Sequence, residues 1–193
     1  MVKKRPTVAL FGGSFDPPHR GHQYIAQTVA ARDGIDKVIV MPAFLNPFKK
    51  TTLASPKKRL DWCRQVCRGK KVIVSDFEIS HDRPVYTIET LEMLQMHYLV
   101  KYLVIGADNL AEIERWEAFD KINESIIWLV FTRGTEIPDC HPLRHCEIIA
   151  MDIPVSATAI REGNDFDAVD QSILDEVKQL IHNKGNDDHQ RES

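Results

Sequence analysis

No apolar run in this 193-residue chain approaches the length needed to cross a membrane. Its first residues, Met1-Val2-Lys3-Lys4-Arg5-Pro6, lead toward a core strand without the apolar stretch of a secretory signal. A cytoplasmic protein with no membrane partner is expected. Positive charge is not in excess either: 25 Lys and Arg stand against 28 Asp and Glu, a net charge of −3. That balance argues against a broad nucleic-acid surface and suits a nucleotide better than a nucleic acid. Cysteine is sparse, with only Cys63, Cys67, Cys140 and Cys146, and without a secretory signal reduced thiols are expected. There is no internal repeat, no Gly-Lys-Ser or Gly-Lys-Thr of a Walker loop, and no G-x-G-x-x-G dinucleotide fingerprint.

What the chain does have is a phosphate-binding pattern. Val8-Ala9-Leu10-Phe11 reads as a buried strand and runs directly into Gly12-Gly13-Ser14-Phe15-Asp16-Pro17-Pro18-His19-Arg20-Gly21-His22. The paired glycines permit a sharp turn and close approach of a polyphosphate to backbone amides. Pro17 and Pro18 disfavour helix before His19, so a helix is expected to open near His19 or Arg20 with its positive dipole end toward the loop. His19 and His22, three apart, would then share one face and could donate to one phosphate, while Gly21 leaves room for a base or ribose. The plainer alternative is a proline-rich turn in which the histidines only cap a helix and Asp16 makes a local turn bond.

Far along the chain, Val155-Ser156-Ala157-Thr158-Ala159-Ile160-Arg161 places two hydroxyls and a guanidinium around a second helix start. Ser156 and Thr158 can bond phosphate or amide, and Arg161 supplies a planar fork for bidentate phosphate contact. Alone, this stretch also reads as an ordinary N-capped helix with a surface arginine.

Between these stretches strand and helix patterns alternate. Strands are expected at 7–11, 37–41, 71–75, 101–105, 126–131 and 147–150. Helices are expected at 20–32, from Ser55-Pro56 to about Arg68, from an N-cap at Thr87, after Ser156, and from Asp170. This order predicts an α/β fold of the Rossmann-like, doubly wound kind: a mostly parallel sheet, helices on both faces, ligands beyond the carboxyl ends of the strands. A single domain over 1–183 and a charged, disordered tail over 184–193 complete the expectation. The segment Cys140-His141-Pro142-Leu143-Arg144-His145-Cys146 crowds four soft-metal ligands into seven positions, but its spacing is wrong for a zinc knuckle and it reads as a loop into the next strand.

The two phosphate elements resemble the His-x-Gly-His and Ser-x-Thr-x-x-Arg signatures of the nucleotidylyltransferase superfamily. Within it the chain resembles the nicotinate-nucleotide adenylyltransferase family. The likeness rests on Pro42 with Asn46-Pro47-Phe48-Lys49, on Val85-Tyr86-Thr87-Ile88-Glu89-Thr90-Leu91, and on Gly106-Ala107-Asp108 with Trp116 and Ile122 beyond. Many members have serine where Ala157 stands, and the terminal helix lacks the aromatic ending common in the family.

The resemblance implies transfer of AMP from ATP to nicotinate mononucleotide, giving deamido-NAD and pyrophosphate, with Mg²⁺ accompanying ATP. It implies that His19, His22 and Arg161 carry the chemistry. Gly12, Gly13, Ser14, Phe15, Gly21, Asp108, Ser156 and Thr158 would hold ATP, with Asp108 on its ribose. Asn46 and Lys49 would approach the mononucleotide, Thr87 its nicotinate carboxylate, and Trp116 would stack on the pyridine ring. No metal held by protein ligands is expected, and assembly into a homo-oligomer is left open. The rival readings are an adenylyltransferase acting on nicotinamide mononucleotide or phosphopantetheine, a nucleotide-binding regulator without chemistry, and an RNA-binding module.

Overall fold

The structure is a computed structural model that describes residues 4–45, 51–133, 137–151, 153 and 155–191. Twelve elements set its frame: β1 (Thr7–Gly13), α1 (Arg20–Ala30), β2 (Lys37–Pro42), α2 (Pro56–Val66), β3 (Val72–Val74), α3 (Thr87–Gln95), β4 (Leu99–Gly106), α4 (Phe119–Ser125), β5 (Ile127–Arg133), β6 (Cys146–Met151), α5 (Ala157–Arg161) and α6 (Leu174–Arg191). The strands form one six-stranded sheet in the order β3-β2-β1-β4-β5-β6. Every neighbouring pair is parallel.

Alternate side chains of the strands feed two separate cores, as a sheet covered on both faces requires. On one face Ala9, Phe11, Val38, Val40 and Val104 pack with Ile25 and Val29 of α1 and Trp62 and Val66 of α2. On the other, Val8, Leu10, Ile39, Leu103 and Trp128 pack with Leu91 and Leu94 of α3 and Ile122 of α4. Among the described residues no helix is long and apolar enough to cross a membrane.

Strand order reverses at β1, and this opens the site. β1 stays paired with β2 as far as Gly13↔Pro42. Its pairing with β4 ends at Phe11↔Val104, so the two strands part just before the glycines. A crevice at the carboxyl end of the sheet follows from that divergence.

Several local expectations are corrected. The strand runs on through Gly12 and Gly13, and the left-handed residue that turns the chain is Phe15, with φ of 47°. The cap of α3 is Tyr86 and not Thr87, because the Glu89 carboxylate reaches back to accept from the Tyr86 N–H at 2.9 Å. The last helix begins at Leu174 and not at Asp170. The Asp170 carboxylate instead accepts from the amide and hydroxyl of Ser172 at 2.9 and 2.6 Å, a local turn that delays the helix. That helix runs Leu174–Arg191. Cys140 and Cys146, expected as thiols, are joined as a disulfide. The Leu143 N–H donates to the Cys140 carbonyl at 2.7 Å, which folds the segment back and brings the two Cα atoms to 6.5 Å. With the sulfurs bonded to each other, this segment has no thiolate pair to offer a metal. Cys63 and Cys67 are free and buried, as small core residues on α2 and at its end.

Candidate active site

The loop after β1 is held from below by two buried charges. Asp16, 4% exposed, accepts from the Leu53 and Ala54 amides at 2.7 and 3.0 Å. Arg59 on α2 has no solvent exposure. Its guanidinium donates to the carbonyls of Ser14 at 2.6 Å, Ala43 at 2.8 Å, Phe44 at 2.6 Å and Ala54 at 3.3 Å. One side chain thus fastens the exits of β1 and β2 and the entrance of α2, using the fan of donors that only arginine has. Burial lowers its pKa from the usual arginine value, and nearby Asp16 opposes that shift. Sequence reasoning missed Arg59 because an arginine on an amphipathic helix reads as a surface residue.

On this base the histidines are preorganised. His19 caps α1 in extended conformation, and the His22 ring accepts from the His19 N–H at 3.2 Å. The rings stack with centroids 3.8 Å apart, and Phe15 braces His22 edge-on at 4.8 Å. His19 is 3% exposed, yet among the described residues neither of its ring nitrogens has a hydrogen-bond partner. Leaving such a donor unpaired costs about 1–3 kcal/mol, a cost tolerated where a ligand completes the bonding. Burial first, then the charges of Arg133 and Arg20, lower its pKa from 6.5 to about 3. The imidazole is therefore neutral near pH 7, carrying one N–H.

Gly21 does not leave open space for a base. A Cβ there would meet the His19 ring at 3.1 Å and Val155 at 3.8 Å, so its missing side chain makes room for the imidazole. Gly13 plays the same part for the Phe15 ring at 3.2 Å, whereas Gly12 faces nothing within 4 Å. Phe15 itself is 2% exposed and serves as a buried brace. The Ser14 carbonyl is taken by Arg59.

The distant Ser156–Arg161 stretch arrives beside these residues. Arg161 donates to the Asp16 carbonyl at 2.7 Å and to the Thr158 hydroxyl at 2.9 Å. Ser156 Oγ accepts from the Thr158 and Ala159 amides at 3.2 and 3.5 Å, so it caps α5. Val155 packs near Gly21 on α1. The structure thus brings His19, His22, Thr158 and Arg161 to one region of the carboxyl end of the sheet.

Across Gly12 and Gly13 lies a cavity of about 130 Å³, also lined by Thr87, Trp116, Asn109, Arg115 and Glu78. Thr87 and Trp116, far apart in sequence, therefore face one space. Trp116 is held edge-on against the buried Trp128, ring centroids 6.0 Å apart. Asp108 is exposed at the exit of β4, beside the crevice. Asn46 and Lys49 lie outside the described residues. Glu78, 8% exposed in this cavity, is a residue that sequence reasoning missed. Its only sequence signal is its place just after a strand.

Residues 10–163 match the cytidylyltransferase-like family model. A protein of Sulfurovum sp. (strain NBC37-1), named probable nicotinate-nucleotide adenylyltransferase, is 43% identical over 183 residues, 94% of this chain and 97% of its own. A protein of the same name from Sulfurimonas denitrificans is 44% identical over 159 residues, 81% of this chain and 85% of its own. The chain belongs to the nicotinate-nucleotide adenylyltransferase family. The fold of these nucleotidyltransferases is also that of a solved Plasmodium falciparum nicotinic acid mononucleotide adenylyltransferase complexed with NaAD. That structure has a TM-score of 0.71 at 17% identity, over 93% of this chain and 96% of the other.

Proposed function

We propose that this adenylyltransferase joins ATP and nicotinate mononucleotide to give deamido-NAD and pyrophosphate, as a cytoplasmic step of pyridine-nucleotide synthesis. The observation that carries the reading is His19: a buried imidazole with both nitrogens unpartnered among the described residues, stacked on His22, at the end of the loop whose Asp16 carbonyl Arg161 holds. A phosphate oxygen is the acceptor that such a group lacks.

In this reading a phosphate oxygen of the mononucleotide attacks the α-phosphorus of ATP. The bond from that phosphorus to the oxygen bridging to the β-phosphorus breaks, and its electron pair leaves with pyrophosphate. The attacking phosphate is already ionised, so positioning and charge neutralisation carry the rate. His19 and His22 donate to the α-phosphate as negative charge spreads over it. Arg161 and Thr158, with Ser156 capping the turn beneath them, hold the departing phosphates. Gly12 and Gly13 let the nucleotide lie against backbone, and Asp108 meets the ATP ribose. Thr87 lies in the first turn of α3, where free amides and the helix dipole favour a carboxylate. Trp116 offers a π face to the cationic pyridinium ring.

The described residues contain no group of three or more His, Cys, Asp or Glu side chains placed to hold a metal ion. Mg²⁺ would come with the triphosphate and would neutralise charge on the leaving group.

The test is pyrophosphate release from ATP with nicotinate mononucleotide, nicotinamide mononucleotide or phosphopantetheine as acceptor. Fastest release with nicotinate mononucleotide is expected. No release with any acceptor would leave the chain a nucleotide binder, and preference for phosphopantetheine would reassign it.

A further inference from the structure

Glu78 has a place in the site that the proposed chemistry does not use. The carboxyl lines the cavity that also holds Thr87 and Trp116, and it is 8% exposed. Only one of its oxygens is engaged among the described residues: Oε1 accepts from the Thr90 hydroxyl at 2.7 Å. Thr90 lies three residues beyond Thr87 on α3, so the two threonines neighbour each other on one helix face. The Glu78 carboxyl therefore sits within a helical turn of the place where a substrate carboxylate would meet Thr87. Its own backbone is fixed. The Ser75 N–H donates to the Val40 carbonyl at 2.9 Å, the Ser80 N–H to the Asp76 carbonyl at 2.9 Å, and Phe77 and His81 pack ring against ring at 4.5 Å.

We propose that Glu78 is a specificity-determining residue that chooses between acid and amide mononucleotides: neutral, its carboxylic O–H donates a hydrogen bond to a substrate carboxylate; ionised, it repels that carboxylate and accepts a hydrogen bond from an amide. The inference rests on the function proposed above and deepens it.

Burial, the largest effect, raises the Glu78 pKa from 4.5 to about 7, opposed by the Thr90 hydrogen bond and assisted by Glu89. The other charges around it are largely committed. Glu89 is paired with Arg83 at 2.6 Å. Arg115 is paired with Glu112, and it and Glu117 stand on another wall of the cavity. On the α2 side, Arg64 pairs with Asp76 at 3.2 Å. His81 and Asp82 are exposed on Glu78's own turn. The choice of substrate is thus tied to a proton that exchanges near neutral pH.

The experiment measures kcat/KM by pyrophosphate release for nicotinate and nicotinamide mononucleotide, from about pH 6 to about pH 8.5, in the wild type and in Glu78→Gln. The two substrates share the phosphate and the pyridinium charge, so titration of the phosphate, His19 and His22 cancels in the acid-to-amide ratio. In the wild type that ratio is expected to fall at least roughly 20-fold between about pH 6.5 and about pH 8.5 as the neutral form of one group with a pKa near 7 is lost, and up to about 100-fold where the ionised form alone serves the amide. Glu78→Gln keeps an oxygen for the Thr90 hydroxyl but cannot ionise, and its ratio is expected to stay level. A level ratio in the wild type, or an unchanged slope in the variant, overturns the proposal; the wild-type slope decides alone if the variant does not fold. No release with either mononucleotide would instead remove the function on which the proposal rests.

Discussion

The Arg161 guanidinium donates to the main-chain carbonyl of Asp16 at 2.7 Å, joining residues 145 positions apart. That bond docks the Ser156–Arg161 stretch onto the loop after β1, while the other arm of the guanidinium donates to the Thr158 hydroxyl at 2.9 Å. In Arg161→Lys the charge stays, but a single ammonium cannot span both the Asp16 carbonyl and a phosphate. Turnover is expected to drop about 10- to 100-fold, with the KM for ATP raised. Wild-type kinetics in the lysine variant would show that charge alone suffices and the fork does not.

His22 makes a sharper case. Its ring accepts from the His19 amide and stacks on the His19 imidazole, so it orients its neighbour, and in the proposed reaction it would face the same ligand. Replacement by alanine is expected to lower kcat by about 10²- to 10³-fold while the dissociation constant for ATP changes only a few-fold, since the contact strengthens as charge develops. Equal loss in kcat and in ATP affinity, read by titration and steady-state kinetics, would assign the ring to ground-state binding.

Opposite pKa shifts of His19 and Glu78 should be visible in stability. The folded His19 pKa is depressed from 6.5 to about 3, so the unfolded chain binds the extra proton in that window and stability falls as pH drops from 6.5 toward 3. The folded Glu78 pKa is raised from 4.5 to about 7, so the folded chain holds the extra proton and stability falls as pH rises from 4.5 toward 7. Each limiting slope is about 1.4 kcal/mol per pH unit, and they oppose each other where the windows overlap. Urea unfolding of His19→Ala should therefore expose a decline with rising pH that the wild type masks, and Glu78→Gln the reverse. Parallel pH profiles for the two variants would contradict both assignments.

Gly21→Ala asks whether the His19 ring position matters. The new Cβ would lie 3.1 Å from the imidazole, so the ring must shift by a few tenths of an ångström. Alanine also favours helix by up to about 1 kcal/mol over glycine. Preserved or slightly raised melting temperature with kcat reduced at least about tenfold is the expected combination. Unreduced kcat would mean that the ring tolerates displacement.

Arg59→Lys tests the clamp beneath the loops. A lysine has three donors on one nitrogen and cannot reach four carbonyls spread over three segments. Loss of more than about 2 kcal/mol is expected by chemical denaturation, because buried carbonyls are left unpaired. A stability within about 0.5 kcal/mol of wild type would mean that water or a shifted loop satisfies them.

The βα alternation, the strand running into Gly12–His22, the helix opening after His19 and the helix capped by Ser156 are all legible in the amino-acid order. Those features are local: an apolar period, a proline that forbids helix, a hydroxyl that caps one. It takes the folded chain to show that β1 and β4 separate after Phe11, that Arg161 reaches Asp16, and that the missing side chain of Gly21 makes room for the His19 ring. The fold alone decided that Arg59 and Glu78 are buried. A side chain's solvation is fixed by what folds over it from elsewhere in the chain. Arg59 is surrounded by carbonyls from residues 14, 43, 44 and 54, and Glu78 is covered by α3. No spacing within one segment encodes such an environment, which is why charged residues that read as solvated surface became parts of the site.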